Sequence, residues 1–121
     1  MIQRISTPFS YSSAVAAGDY VFIGLHRGFG DTFEEQIRDV FVHLKNTLEQ
    51  CATSLDQIVQ VSVHLKHIEN LPAMEQIFCD YFAQDQYPAR ITDTTEFFDK
   101  DCLLMIEGIA YNPGLTTSRH T

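Results

Sequence analysis

The sequence is poor in positive charge, and this scarcity limits the kinds of partner it can bind. It contains 8 lysine and arginine residues against 16 aspartate and glutamate residues, and its formal net charge at pH 7 is -8. The basic residues are nowhere clustered along the chain. Proteins that bind nucleic acids draw most of their affinity from lysine and arginine side chains that neutralise phosphates. The composition therefore argues against a nucleic-acid-binding role.

Long apolar runs and paired cysteines are also missing. No stretch approaches the roughly 18 apolar residues that a transmembrane helix requires, and no basic segment followed by an apolar core marks a signal peptide. Cys51, Cys79 and Cys102 are odd in number and widely spaced, which fits neither a disulfide framework nor a zinc site. We therefore expect a cytoplasmic protein with reduced thiols and no membrane partner.

Length and composition predict one domain with a modest core. The chain has 121 residues, of which 45% are hydrophobic, and a second domain is not expected. We place the domain at residues 1–112 and expect residues 113–121 to form a short polar tail that frays.

Two segments carry helix signals. Thr32 and Glu35 have the spacing of a capping box, which predicts the start of a first helix that runs to about Cys51. Asn70 is expected to cap a second helix, with Pro72 in its first turn. Apolar residues recur at helical spacing in both segments. They are Phe33, Ile37, Val40, Phe41, Leu44, Leu48 and Cys51 in the first, and Leu71, Met74, Phe78, Tyr81 and Phe82 in the second.

The segment between the helices alternates in the manner of a strand with one covered face. Its two sets are Val59, Val61, Val63 and Leu65 on one face, and Gln60, Ser62 and His64 on the other. An early hairpin, a helix, this strand, a second helix and two final strands predict an α+β sandwich with both helices on one face. The opposite face needs cover, which self-association would supply.

Two charged residues interrupt strand-like segments near the end of the chain. Arg90 lies within residues 88–95, and Glu107 interrupts the apolar run of residues 103–111. Burying an unpaired charge costs on the order of several kcal/mol, so each side chain needs a partner, water or a ligand. Their opposite signs suggest one shared site. The alternative interpretation is a structural ion pair, between the two or with surface neighbours.

Three tracts of the chain carry a family resemblance. Residues 88–90 (Pro-Ala-Arg) and 106–110 (Ile-Glu-Gly-Ile-Ala) form a C-terminal signature. Residues 11–23 lead from Tyr-Ser-Ser-Ala through Ala-Gly into the second strand, and residues 54–65 form a central strand with its lead-in. Together, from about Thr7 to Tyr111, they resemble the Rid family, the YjgF-like reactive intermediate deaminases.

The resemblance implies a chorismate-mutase-like sandwich, a mixed sheet with two helices on one face, that assembles as a homotrimer with a ligand cleft at each subunit interface. It implies that Arg90 binds the carboxylate of a small 2-imino or enamine acid, a role that suits a planar guanidinium. Glu107 would position and activate water for attack on the C=N carbon, and Tyr11 would line the same cleft. No cofactor is required, because the iminium carbon is already electrophilic. The implied partners are a small carboxylate-bearing metabolite and further copies of the chain.

Some positions depart from the family's pattern. Gly24, Leu25 and His26 stand where deaminating members usually have Ser-Gly-Gln, so the leucine side chain should reshape the pocket. Glu75 stands where they can carry a ligand-facing asparagine, and there it would add negative charge beside an anionic substrate. Thr92 replaces the usual serine or cysteine, which is a mild change. The candidate site therefore comprises the catalytic pair Glu107 and Arg90 together with Tyr11, Gly24, Leu25, Glu75 and Thr92.

Three functions remain open at this point. They are a 2-imino-acid deaminase, another small-molecule enzyme on the same scaffold, and a non-catalytic module that senses a small carboxylate. Retention of Arg90 with Glu107 favours the first function, and the altered second strand favours the other two. Some members of the resembled family have been called ribonucleases, a label that the acidic composition does not support. Asp93 falls on the alternate strand face from Arg90, and the sequence pattern offers no role for it.

Three other motifs do not indicate a functional site. His64 and His67 are close in sequence but have no third ligand at a metal-binding spacing, so we expect no metal. The glycines of residues 24–30 precede no Lys-Ser or Lys-Thr pair and are expected to serve a turn. Ser12 and Ser13 have no histidine and acid in a recognisable arrangement, which leaves nucleophilic hydrolysis without support.

Overall fold

A computed structural model describes residues 1–113, which form one six-stranded sheet with two helices. The strands are β1 (Ile2–Ser6), β2 (Ser12–Ala17), β3 (Tyr20–Arg27), β4 (Ile58–Leu65), β5 (Ala89–Thr94) and β6 (Leu104–Tyr111). The helices are α1 (Phe33–Gln50) and α2 (Leu71–Phe78), with short 3-10 turns at Leu55–Gln57 and Ile68–Asn70. No helix in this part of the chain is long and apolar enough to cross a membrane. Apart from Pro113, the predicted polar tail lies outside the described residues.

The sheet has the strand order β1-β2-β3-β6-β4-β5. Neighbouring strands are antiparallel except β4 and β5, which run parallel because α2 connects them as a crossover. The predicted hairpin is β2 with β3, and β1 is an additional edge strand that the sequence pattern did not indicate. Both helices pack on the same face through one apolar cluster, so the predicted α+β sandwich is confirmed.

The predicted start of α1 is confirmed. Thr32 Oγ1 accepts a hydrogen bond from the Glu35 backbone N–H at 3.1 Å, and Glu35 Oε1 accepts one from the Thr32 N–H at 3.0 Å. The whole predicted stripe of α1 is buried against the sheet.

Helix α2 starts where it was predicted, but its capping and its end differ from the prediction. Asn70 occupies the N-cap position, but its side chain makes no capping hydrogen bond, and the helix begins with Pro72 in its first turn. The helix ends at Phe78, so Tyr81 and Phe82 follow it. Both rings still pack in the core, because the chain turns back across Phe41, whose ring centroid lies 4.0 Å from that of Tyr81.

The predicted alternation of side chains along β4 is interrupted by a bulge at Val59. Ile58 pairs with Ala110 of β6 and Gln60 pairs with Ile109, so Val59 is an extra residue without a partner opposite it. Val59 was predicted on the helix-covered face and is 46% exposed instead. Beside this bulge the two strands approach closely, and a Cβ atom at Gly108 would lie 2.3 Å from the Gln60 carbonyl oxygen.

The two faces of the sheet differ in what covers them. The helix face is closed by α1 and α2, and its central strand residues are almost fully buried. The open face carries large apolar side chains that remain partly exposed, namely Tyr20, Phe22, Ile91 and Tyr111. The sequence predicted a polar strand face here, and the structure shows a face that is polar at β4 and aromatic at its β3 side.

Candidate functional site

Arg90 lies on β5, at the edge of the sheet, and its side chain is on the helix face. Its register partner is Val61 of β4, whose side chain is buried beneath the helices. The guanidinium forms an ion pair with Glu75 of α2 and donates from Nε to Thr92 Oγ1 at 3.1 Å. It also lies 5.5 Å from the centroid of the Phe78 ring. Arg90, Glu75 and Thr92, three of the predicted site residues, are therefore in direct contact.

A cavity of about 410 Å³ opens beside this guanidinium. Its lining residues are Glu75, Phe78, Cys79, Tyr87, Pro88 and Arg90. The Tyr87 hydroxyl donates to Cys79 Sγ at 3.3 Å, and this hydrogen bond raises the pKa of Tyr87. The cavity thus combines the Arg90–Glu75 ion pair with apolar and weakly polar walls, so a small organic acid that bound Arg90 would compete with the Glu75 carboxylate.

Glu107 lies on the open face of the sheet. On β6 it pairs with Ser62 of β4, and its Oε2 accepts a hydrogen bond from His64 Nε2 at 2.7 Å. A second cavity of about 410 Å³ runs beside it, and we call this the Glu107 groove. The groove is lined by Leu25, His64, Thr95, Glu96, Phe97, Phe98, Asp99, Met105 and Glu107.

Within one chain, the expectation that Arg90 and Glu107 share a site is wrong. Arg90 pairs with Val61 and Glu107 pairs with the next residue, Ser62, and successive strand residues point to opposite faces of a sheet. The sheet therefore separates the two charges. Each has its own partner, Glu75 for Arg90 and His64 for Glu107, as the alternative interpretation with neighbouring residues predicted.

The sequence did not identify the partner of Glu107. His64 also contacts Asp93 of β5, with Nδ1 and Oδ1 2.7 Å apart, so its ring lies between two carboxylates. Burial of the ring opposes its charge, but the hydrogen bonds to Glu107 and Asp93 outweigh burial and raise the pKa of His64. The strand period of two gave a partial signal for this contact. It placed Asp93 on the opposite face of the sheet from Arg90, which is the face that carries His64.

The remaining predicted residues lie along β2 and β3. Tyr11 precedes β2 and stacks on Phe9, with ring centroids 6.1 Å apart. At about 4.8 Å per strand, β2 is roughly 19 Å from β5, so Tyr11 does not line the cavity of its own Arg90. Leu25 lines the Glu107 groove.

Gly24 and Leu25 occupy an irregularity in β3 that turns His26 toward the core. The register with β6 shifts between Ile23 and His26. His26 Nδ1 donates to the Gly24 carbonyl oxygen at 2.7 Å, and Nε2 accepts from Thr47 Oγ1 at 2.7 Å. Burial lowers the pKa of His26, which keeps the ring neutral.

No group of three histidine, cysteine, aspartate or glutamate side chains within residues 1–113 is arranged to hold a metal ion. His67 is separated from the His64 chain of hydrogen bonds, because it follows the end of β4 and begins the turn before α2.

Comparisons with known proteins agree with this fold. Residues 1–112 match a protein family described as Endoribonuclease L-PSP. A RutC family protein of Pyrococcus horikoshii is 31% identical over 109 residues, which cover 84% of this chain and 86% of that protein. A YjgF-family structure from Neisseria meningitidis aligns with a TM-score of 0.88 at 21% identity, covering 93% of this chain and 95% of that one. A Yersinia pestis structure, described as a protein of unknown function of the conserved Rid family, aligns with a TM-score of 0.83 at 26% identity, covering 92% and 99%.

Proposed function

The chain belongs to the YjgF/Rid family, matched here under the description Endoribonuclease L-PSP, and from this we propose that it is a RidA-like deaminase. It would hydrolyse small 2-imino acids to 2-oxo acids and ammonia. The observation that carries the proposal is the contact between Arg90 and Glu75 beside a cavity of suitable size. The guanidinium already holds a carboxylate there, and the carboxylate of a substrate can take the place of Glu75. A ribonuclease activity has no such support, given a net charge of -8.

A site that uses both Arg90 and Glu107 requires two chains. The two residues lie on opposite faces of one sheet, so a single substrate reaches both only where the Arg90 edge of one subunit meets the open face of another. The exposed Phe22 and Ile91 side chains on the open face favour such contact. We propose a homotrimer, whose closed symmetry repeats this contact three times.

The chemistry needs positioning and proton transfer. Arg90 holds the carboxylate of a substrate whose imine nitrogen is protonated, and Glu107 accepts a proton from water as the new C–O bond forms. Glu107 then returns this proton to the nitrogen of the carbinolamine. It takes the hydroxyl proton as the C–N bond breaks and passes it to the departing ammonia. Iminium and water thus become a 2-oxo acid and ammonium.

The first test measures release of 2-oxo acid from freshly generated 2-iminopropionate and from 2-imino acids with larger side chains, against the spontaneous rate. Glu107→Gln should lower turnover by roughly 10²- to 10⁴-fold, because the amide cannot accept a proton. Glu49→Gln, which removes an exposed carboxylate of α1, is the matched control and should leave turnover unchanged. Arg90→Lys should raise KM by roughly 10- to 100-fold, because an ammonium cannot reproduce the guanidinium fork.

The second test mixes the two impaired variants, Arg90→Lys and Glu107→Gln, and measures turnover at a substrate concentration well below the wild-type KM, where both are slow. If each site takes Arg90 from one subunit and Glu107 from the next, every mixed trimer contains one intact site. Random assembly of equal amounts should then restore about a quarter of wild-type turnover. Each variant alone, refolded in the same way, is the control, and light scattering gives the assembly state. No restoration in proven mixed trimers would refute the two-chain site. A wild type that binds pyruvate but accelerates no imine hydrolysis would instead be a carboxylate sensor.

A further inference from the structure

The hydrogen-bonded chain Asp93–His64–Glu107 is the feature that this reaction scheme leaves unused. It crosses three adjacent strands on the open face, from β5 through β4 to β6. His64 Nδ1 lies 2.7 Å from Asp93 Oδ1, and His64 Nε2 lies 2.7 Å from Glu107 Oε2. Both acceptors are carboxylate oxygens, so both ring nitrogens must donate. The ring that satisfies both contacts is an imidazolium.

Four carboxylates lie around His64, and two of them contact its ring. Strand β5 contributes Asp93, and β6 contributes Glu107. The segment after β5 contributes Glu96 and Asp99, which line the same groove. Asp99 is paired with Arg27 at 2.6 Å, so its negative charge is already compensated. The His64 side chain is 21% exposed, which makes it less exposed than either of its carboxylate partners.

We propose that His64 is the positioning residue for Glu107, and that Asp93 anchors His64 for this task. The inference rests on the proposed function for its catalytic consequence, although the contacts themselves do not. With Oε2 bound to the imidazolium, the Glu107 carboxylate is fixed in one orientation, and its other oxygen, Oε1, receives the proton of the attacking water. Asp93 accepts a hydrogen bond from the other ring nitrogen, Nδ1, and so keeps the imidazole from rotating away from Glu107.

The arrangement has a definite pH dependence. The imidazolium form of His64 makes both contacts, and its pKa is raised in the folded protein. Positioning of Glu107 is therefore complete at low pH and is lost as pH rises through the raised pKa of His64. Weakening either carboxylate contact lowers this pKa and moves the loss of turnover to lower pH.

The test uses Asp93→Asn, which keeps the shape of the anchor and removes its charge. Glu96→Gln is the matched control, because it removes one charge from the same groove without touching the hydrogen-bonded chain. Two readouts are taken on the full-length protein. NMR titration of the His64 ring gives its pKa in the wild type, Asp93→Asn, Glu107→Gln and Glu96→Gln. Kinetics with 2-imino acids give kcat, KM and the pH profile.

The proposal predicts a His64 pKa above 6.5 that falls in both Asp93→Asn and Glu107→Gln but not in Glu96→Gln. It also predicts that Asp93→Asn lowers kcat by about 10- to 100-fold with little change in KM, and moves the alkaline loss of turnover to lower pH. A merely structural role for Asp93 would not move the pH profile.

The two proposals fail in different ways. If the wild type deaminates but Asp93→Asn keeps its kcat and pH profile, the positioning role is refuted and the deaminase stands. If the wild type accelerates no imine hydrolysis, the deaminase is refuted. The NMR titration then tests the contact between His64 and Glu107 by itself. If Glu107→Gln leaves the His64 pKa unchanged, the contact is refuted. If Glu107→Gln lowers that pKa, the contact is supported.

Discussion

Two histidines of the same sheet, His26 on β3 and His64 on β4, are held in opposite charge states. His26 faces the helices, is 7% exposed and contacts only neutral groups, the Gly24 carbonyl and the Thr47 hydroxyl. His64 faces the open side and donates to two carboxylates. Burial disfavours the charge of both rings, yet their pKa values move in opposite directions. At His26 burial dominates and lowers the pKa, whereas at His64 the hydrogen bonds to two carboxylates outweigh burial and raise it.

The same contrast extends to the apolar side chains of the two faces. On the helix face, Phe41 is enclosed by the rings of Phe78 and Tyr81, whose centroids lie 5.6 and 4.0 Å from its own. On the open face, Phe22 remains 47% exposed. The helix face is thus covered within one chain, whereas the open face leaves large apolar side chains exposed.

Replacing one phenylalanine on each face should give the largest difference in the free energy of unfolding between two variants. Phe41→Ala should lower the free energy of unfolding by about 3–5 kcal/mol, because it opens a cavity in a packed core. Phe22→Ala should cost about 1 kcal/mol or less within the subunit but should weaken subunit association. Urea unfolding at several protein concentrations, combined with light scattering, separates the two effects. If both variants lost the same free energy of unfolding at every protein concentration, the distinction between the two faces would be wrong.

Removing the neutral partner of His26 should have an intermediate effect. Thr47→Val leaves His26 Nε2 buried without a donor, which should cost about 1–3 kcal/mol. The matched control is Thr53→Val, because the Thr53 hydroxyl donates to the Tyr111 carbonyl oxygen at 3.1 Å at an exposed site. Its loss should be smaller, since water can replace the hydroxyl. Comparable denaturant midpoints for the two variants would show that His26 has another donor.

The pH dependence of stability should show the smallest effects, with opposite signs for the two histidines. The folded-state pKa of His26 is lowered, so its contribution is present above its ordinary pKa of 6.5 and is lost as pH falls toward the folded value. The folded-state pKa of His64 is raised, so its contribution is complete below 6.5 and is lost as pH rises through the folded value.

Two variants isolate these contributions. His26→Gln should flatten the acid side of the stability curve, and His64→Gln should flatten the neutral-to-alkaline side, each by about 1 kcal/mol or less. Denaturation midpoints measured from about pH 5 to pH 9 give both curves. If both variants changed the same side of the curve, the assignment of opposite charge states would be wrong.

Features that depend on local spacing could be predicted from the sequence. The capping box of Thr32 and Glu35 lies within one turn of chain, so its partners are neighbours in sequence as well as in space. The stripe of α1 follows from helical periodicity alone. Arg90 and Glu107 both have partners, as expected, but the cost of burying a charge is not the reason, because Arg90 is exposed and Glu107 is only half-buried.

Features that depend on pairing between distant segments could not be predicted. The bulge at Val59 arises from the register between β4 and β6, which no local pattern specifies. The partner of Asp93 could not be assigned from the sequence. That partner, His64, is 29 residues away, and the two side chains meet only through the parallel register of β4 and β5. A shift of one residue in that register would move Asp93 to the helix face.

The sequence by itself determined that this is a small acidic α+β domain of the Rid type, with two out-of-place charges near its C-terminus. Composition, periodicity and short motifs carry that information, because they act within a few residues. Only the tertiary structure decided that Arg90 and Glu107 lie on opposite faces, with Glu75 and His64 as their partners. The physical reason is that the side-chain period of a strand is two, so the face of each charge depends on a register set by the whole sheet.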